Sequence, residues 1–131
     1  MPLSAPSTWA ALLLGAAFLA VGIVFAAAPE LGAWIFGIET NHPVALAYVQ
    51  AIAFRDLALA LYIFGLVALG TRAALSTVLA GSLIIPACDL ALVMSVSGTS
   101  AGGQILVHLA GAAALAAVSL WLRADLRPLS H

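Results

Sequence analysis

The 131 residues of this chain are 65% hydrophobic and only 7% charged, with a mean hydropathy of +1.21. An average soluble domain has about 25% charged residues, so this composition excludes a soluble globular protein. The charged residues are four arginines and five acids with a formal net charge of −1, which gives no basic surface for nucleic acid. Cys88 is the single cysteine, which excludes an intrachain disulfide.

Four apolar segments occupy most of the chain, and each is long enough for the ~20 residues that cross a hydrocarbon core. We predict membrane spans at about residues 9–28, 44–70, 73–96 and 104–122. The connections between them are short. The sequence therefore predicts an all-α fold in which residues 1–131 form a single transmembrane domain, an integral membrane four-helix bundle with up-down topology.

The first span carries no charge and is followed by Pro29. No basic residue precedes it and it is longer than the core of a signal peptide, so we expect a retained helix. Gly15 and Gly22 are seven residues apart, on the same helical face as Ala11 and Phe18. Small residues allow helix backbones to approach closely in lipid, so this face is predicted to pack against another helix.

The longest connection, residues 29–43, has apolar residues at helical spacing beside two glutamates: Leu31, Trp34, Ile35 and Ile38, with Glu30 and Glu39. This pattern predicts a short amphipathic helix at the membrane interface. The alternative is a lid that covers a cavity in the bundle.

The second span contains Arg55 and Asp56 side by side in an otherwise apolar run. A charge at mid-bilayer costs roughly 2.5–3.5 kcal/mol on insertion scales, so such residues usually face a protein interior. At 100° per residue, one broad face contains both charges together with Tyr48, Ile52, Leu59 and Tyr62. We therefore expect Arg55 and Asp56 to point into the bundle.

The third span contains Pro86 and Asp89. Because proline has no N–H, Pro86 frees the carbonyl of Ser82, and a kink is predicted one turn before Asp89. Cys88 has no basic neighbour and is expected to be a packing residue. In the fourth span, His108 lies on the most polar face of its helix, with Gln104, Gly111, Leu115 and Ser119.

The arginines outside the spans are Arg72, Arg123 and Arg127, all on the side shared by the second connection and the C-terminus. By the positive-inside rule, both termini are expected to be cytoplasmic, in a bacterial inner (plasma) membrane.

Counted from the opposite face, Arg55 lies ~16 Å, Asp89 ~12 Å and His108 ~8 Å into the membrane. These depths predict that Arg55, Asp56, Asp89 and His108 converge on one site, with Arg55 reaching Asp89 and Asp56 reaching His108.

Two interpretations of this group are open. It could be a set of structural interhelical contacts, although buried ion pairs roughly break even against apolar packing. Its charges also sum to −1 unless His108 or one carboxyl holds a proton, and coupled titrating groups concentrate at functional sites. An ionised and a protonated carboxyl in one pocket supply a general base and a general acid.

The leading hypothesis is a membrane-embedded isomerase, cyclase or epoxide-opening hydrolase that acts on a small lipophilic molecule. Asp89 would be the base, Asp56 the acid, Arg55 the electrostatic organiser and His108 a proton relay, and the two aspartates could exchange roles. Three further polar residues are candidates for orienting the substrate: Tyr48, Tyr62 and Gln104.

The alternatives are a non-enzymatic accessory or assembly protein, whose polar residues are interhelical glue or bind a partner helix, and a small transporter protomer, which would need to form a homo-oligomer. A metal held by Asp56, Asp89 and His108 is disfavoured because Arg55 would repel the cation. No cofactor motif is present, so no cofactor is expected. The expected partners are membrane lipid and a small lipophilic ligand.

Short motifs along the chain also resemble a known family. They are Phe36-Gly37-Ile38 in the first connection, Phe54-Arg55-Asp56-Leu57 in the second span, Pro86-x-x-Asp89 in the third and His108 in the fourth. In these features the chain resembles the DUF4267 family, small four-span membrane proteins of bacteria and fungi. The resemblance implies a four-helix membrane architecture and implies no activity.

Overall fold

The computed structural model describes residues 1–126, and all regular structure within them is helical. Arg127, which the sequence analysis places on the side of the C-terminus, lies outside the described residues. The helices are α1 (Pro6–Ala27), α2 (Pro29–Phe36), α3 (Pro43–Leu69), α4 (Arg72–Ser82), α5 (Ile84–Ser97) and α6 (Gly102–Ala124), and a 3₁₀ turn (Gly98–Ala101) joins the last two.

Three helical stretches are long and apolar enough to cross a membrane: Pro6–Ala27, Pro43–Leu69 and Arg72–Ala124. The last stretch contains α4, α5 and α6. Because α4 packs against α6, the chain must reverse its direction within this stretch. Ser76 Oγ donates to the Ser119 carbonyl at 3.1 Å, and Ser119 Oγ donates to the Ser76 carbonyl at 2.9 Å. The protein is therefore an all-α membrane helical bundle, as its composition predicts.

Local chemistry explains where the helices begin and end. Gly37 ends α2 with a φ of 101°, a conformation that costs glycine nothing because it has no Cβ. The hydroxyl of Thr71 accepts from the Ala74 N–H at 3.1 Å and caps α4. Three helices begin with a proline, which lacks the N–H that would be unpaired there: Pro6, Pro29 and Pro43.

The glycines of α1 bring it into close contact with α3. A Cβ atom at Gly15 would lie 2.8 Å from the Phe64 ring, and one at Gly22 would lie 2.8 Å from Leu57. The predicted packing face of the first span is confirmed, because both glycines are buried against α3.

The helix that contains Pro86 is interrupted at Leu83, between α4 and α5. Pro86 cannot donate to the Ser82 carbonyl, and the hydroxyl of Ser82 turns back to the Val78 carbonyl at 2.8 Å. The predicted distortion of this helix near Pro86 is confirmed, with the interruption at Leu83, six residues before Asp89.

Helix α2 packs on α1 and α3 through its small residues. Gly32, Ala33 and Phe36 are buried, whereas Leu31 and Trp34 are about half exposed. The reason is the small size of Gly32 and Ala33, which lets the α2 backbone approach its neighbours. The interfacial position of α2 remains a prediction.

Two separate apolar cores hold the bundle together. One contains Leu59 with Ile63, Leu75 and Leu115, and the other contains Ala53 with Phe25, Phe36 and Val93. Because α3 contributes Ala53 to one core and Leu59 to the other, the Arg55-Asp56 pair lies at the boundary between them.

Candidate functional site

Arg55 is the centre of the polar group. Its Nη1 and Nη2 donate to the two carboxylate oxygens of Asp89, each at 3.0 Å, and its Nε donates to Asp56 Oδ1 at 3.1 Å. The pair with Asp89 is bidentate, the strong planar geometry that arginine forms with carboxylates. The prediction that Arg55 reaches Asp89 on another helix is confirmed.

Asp56 pairs with its own neighbour, and this corrects the expectation that it reaches His108. Adjacent helical residues point about 100° apart, but the arginine side chain is long enough to fold back and place its Nε beside Asp56. Within residues 1–126, Asp56 and His108 share no hydrogen bond. The expected contact is therefore wrong.

His108 instead binds the end of α2. Its Nε2 donates to the Phe36 carbonyl at 2.8 Å, and its ring meets the Phe36 ring edge-on with centroids 5.1 Å apart. A carbonyl only accepts, so Nε2 carries the proton, and in the neutral imidazole Nδ1 is the acceptor. The Phe36 carbonyl lacks a helical donor because α2 ends there.

Two further side chains hold the same helix end. Gln104 Nε2 donates to the Trp34 carbonyl at 3.3 Å, and Ser97 Oγ donates to the Gly37 carbonyl at 2.7 Å. Together with His108 they connect the last turn of α2 to α5 and α6. Gln104, predicted to orient a substrate, is thus placed in a helix-to-helix contact.

All four candidate catalytic side chains line one cavity of about 310 Å³, which is open on the side where Val107 and Ala110 of α6 are exposed. The rest of its lining is apolar, with Phe18 and Phe25 from α1, Ile35 and Phe36 from α2, and small residues from α6. The C-terminal turn of α2 therefore covers part of the cavity. The sequence did place Arg55, Asp56, Asp89 and His108 at a common depth, and the structure brings them to a common space.

The two aspartates differ in how their oxygens are used. Both oxygens of Asp89 accept hydrogen bonds from Arg55. Asp56 is 5% exposed and uses only Oδ1; its Oδ2 accepts no hydrogen bond within the described part of the chain and is not sealed from open space. Asp56 is therefore the carboxyl with an oxygen available to a molecule in the cavity.

The tyrosines do not line the cavity. Tyr48 is 71% exposed, and Tyr62 is 61% exposed and borders a separate groove. The buried face of α3 is centred on Asp56, and both tyrosines lie roughly 100° to one side of it. Arg55 is displaced by the same angle, but its flexible side chain bends inward and a phenol ring cannot.

Sequence patterns missed the Phe36 carbonyl, because a backbone acceptor carries no residue-type signal. They also assigned Phe18 to packing, whereas it lines the cavity. Among residues 1–126, no three His, Cys, Asp or Glu side chains are grouped as metal ligands. The oxygens of Asp89 face a guanidinium, which would repel a cation.

A bundle of apolar helices with a small cavity, lined on one side by ionisable residues, defines a class: a helical membrane protein with a candidate site between its helices. The chain belongs to the DUF4267 family, a domain of unknown function, whose family model matches residues 15–122. That range includes all four candidate catalytic residues. No curated protein and no solved structure matches the chain.

Proposed function

We propose that this protein is a membrane-embedded acid/base catalyst that acts on a small, neutral lipophilic molecule. The observation that carries the proposal is the cavity of about 310 Å³, in which Arg55, Asp56, Asp89 and His108 meet an otherwise apolar lining. Ligand sites are typically concave and mostly apolar, with a few converging polar groups, and start at about 300 Å³. The volume suits a single small molecule.

The proposal includes four spans, formed by α1, α3, the interrupted α4–α5 helix and α6, with both termini in the cytoplasm of a bacterial cell. Arg123 Nε donates to Ser76 Oγ at 2.9 Å, one turn from Arg72, so the two arginines lie at one end of the bundle. The positive-inside rule favours the cytoplasm for that end. The cavity then lies in the outer half, next to α2.

Each polar residue has a distinct role in this mechanism. Arg55 and Asp89 form the fixed ion pair, and Arg55 orients Asp56 through Nε. Because two aspartates and one arginine sum to −1, a proton on Asp56 or His108 neutralises the site. Asp56 Oδ2 and His108 Nδ1 are the two positions at which a proton is given or taken.

For an epoxide, Asp56 would give its proton to the epoxide oxygen as the C–O bond breaks. Water that attacks the carbon would give a proton to His108, and transfer of that proton to Asp56 restores the starting state. For a β,γ-unsaturated ketone, a carboxylate would remove the α-proton and return it to the γ-carbon. For an acyclic polyene epoxide, Asp56 would give its proton to the epoxide oxygen as the C–O bond breaks and the ring closes, and a carboxylate would take a proton from the resulting carbocation to leave a cyclic alcohol. Acid/base catalysis of this kind increases the reaction rate about 10²–10⁴-fold.

The test uses purified protein in liposomes with three neutral probes: a terpene epoxide, a β,γ-unsaturated cyclic ketone and an acyclic polyene epoxide. Their products are a diol, a conjugated enone and a cyclic alcohol. We expect Asp56→Asn to lower turnover of the accepted probe at least ~100-fold. Asp125→Asn is the matched control, because Asp125 bonds Ser7 away from the cavity. Wild-type turnover by Asp56→Asn, or no turnover of any probe, contradicts the proposal.

A second candidate, a non-enzymatic accessory protein, is favoured by one observation. Every guanidinium nitrogen of Arg55 donates to a carboxylate, and the two bonds to Asp89 join α3 to α5. That function predicts that Asp56→Asn and Asp89→Asn both alter stability and change no reaction. A stable Asp56→Asn variant that has lost turnover excludes it.

A further inference from the structure

The cavity is open on one side, and the exposure of its lining residues shows where. Among residues 1–126, the exposed members of the lining all lie on α1 or α6: Ala17, Val21, Val107, Ala110 and Ala114. The lining residues of α2, α3 and α5 are buried or only partly exposed. The cavity therefore opens between α1 and α6, through a mouth whose edges are these exposed residues.

The mouth is apolar, and the ionisable groups lie inside it. Every side chain at its edges is an alanine or a valine. The carboxylates come from other helices and are less exposed: Asp56 of α3 is 5% exposed, and the side chain of Asp89 of α5 is 14% exposed. A molecule with one polar end would therefore place that end beside the carboxylates and its apolar part toward the mouth.

The mouth lies within helical stretches that are long and apolar enough to cross a membrane. Its edge on α6, from Val107 to Ala114, extends ~10 Å along the helix. In a membrane-spanning bundle, an exposed apolar surface of this kind faces the hydrocarbon chains of lipid. These chains are as apolar as leucine, so a hydrocarbon chain that passes from the cavity into the bilayer exchanges one apolar environment for another at little cost.

We propose that the substrate is a lipid with one hydrocarbon chain and an uncharged, oxygen-bearing head group, which lies in the cavity beside Asp56 while the chain passes between α1 and α6 into the bilayer. This substrate class deepens the proposed function and rests on it for the chemistry of the head group. A cavity of about 310 Å³ is near the lower limit for ligand sites, so it suits a head group and the first part of one chain.

The experiment uses the full chain in liposomes and two probes, octanol and hexadecanol, each with a diazirine close to its hydroxyl. The probes have equal mole fractions in the bilayer and equilibrate before illumination. Mass spectrometry then measures cross-links at Phe25 and Leu115, two cavity residues that are 3% and 1% exposed. Because the longer chain leaves through the mouth, we expect the two alcohols to label the wild-type protein within ~3-fold of each other.

Two variants narrow the mouth from opposite edges, Ala114→Trp on α6 and Val21→Trp on α1. A helical side chain leans toward the preceding turn, so each new ring lies over residues that also line the cavity. We expect hexadecanol labelling to fall at least ~10-fold and octanol labelling to fall less than ~3-fold, because the shorter chain does not need to pass the mouth. The second variant keeps the test decisive if the first does not fold.

Ala16→Trp is the matched control on α1. Ala16 is exposed, and neither it nor the residues three and four positions before it border the two openings, which are the cavity and the groove beside Tyr62. Both alcohols should label this variant as they label the wild type.

Wild-type protein that octanol labels at Phe25 and Leu115 and hexadecanol does not would overturn this substrate class, because the cavity then accepts only compact molecules. Equal loss of both labels in the mouth variants, or hexadecanol labelling that is unchanged in both, also overturns it, as does the absence of cavity label from either alcohol. The readout is binding and needs no turnover. The long-chain substrate can therefore fail while Asp56→Asn still abolishes turnover, and the proposed function can fail while hexadecanol is still bound.

Discussion

At the end of the bundle that contains Arg72 and Arg123, the buried polar residues form hydrogen bonds with each other. Ser76 and Ser119 are 1% and 3% exposed, exchange hydrogen bonds with each other's carbonyls and line neither opening. Around Arg55, ionisable residues also bond each other, but they border a cavity, and Asp56 Oδ2 accepts no hydrogen bond from residues 1–126. Polar residues inside a membrane bundle therefore indicate a site only when open space lies beside them and a donor or acceptor remains.

The largest effect on stability is expected from Asp89→Asn. Loss of this carboxylate leaves the guanidinium of Arg55 with only Asp56. Removal of one partner from a fully buried ion pair costs about 3–5 kcal/mol, and the loss here should be smaller because the Arg55 side chain is one-third exposed and stays paired with Asp56. Denaturant unfolding in mixed micelles measures the change in the free energy of unfolding. The triple variant Arg55→Met, Asp56→Leu and Asp89→Leu should recover much of the loss, because it leaves no unpaired carboxylate in the group and apolar replacement of buried ion pairs is nearly neutral. Equal loss in both would show that the charge pair is not the cause.

A smaller loss is expected from His108→Phe. The ring stays, but the Phe36 carbonyl loses its hydrogen bond, which costs about 1–3 kcal/mol for a buried acceptor. Faster proteolysis of the connection between α2 and α3 should accompany the loss, since His108 holds the end of α2. Gln104→Leu is the control at the same end of α2. The Gln104 bond to the Trp34 carbonyl is longer, at 3.3 Å, so we expect a smaller loss of stability. The reverse order of the two variants would contradict this assignment.

Ser119→Ala sharpens the contrast between the two polar groups. We expect about 0.6 kcal/mol of destabilisation, the average for an interhelical hydrogen bond in a membrane bundle, and no change in probe turnover. Ser95→Ala is the control, because Ser95 is exposed and bonds only the Leu92 carbonyl of its own helix. A change in turnover with Ser119→Ala would place this group in the functional site after all.

The smallest effect is expected from Tyr48→Phe. Because Tyr48 is exposed and borders neither opening, removal of its hydroxyl should change stability by less than about 0.5 kcal/mol and leave turnover unchanged. Thermal unfolding measures the stability of the variant, and the liposome assay measures its turnover. Reduced turnover would restore Tyr48 as a residue that orients the substrate.

The positions of the polar residues along their helices could be predicted because helical rise is constant and the apolar segments have clear ends. That is why Arg55 and Asp89 were assigned to each other correctly. The buried face of α3 was predicted too broadly, so that Tyr48 and Tyr62 were included with Asp56. Side-chain reach decided this difference, since an arginine displaced by 100° still enters the interior and a tyrosine does not.

The sequence by itself determined the class of protein, the helices, the packing face with Gly15 and Gly22, and the interruption before Pro86. These depend on composition, periodicity and backbone chemistry, which are local. The tertiary structure decided that His108 binds the Phe36 carbonyl and that Asp56 keeps a free oxygen beside a cavity. Each depends on how distant helices fill space, so the Arg55-Asp56 pair becomes a candidate site only once five helices enclose it.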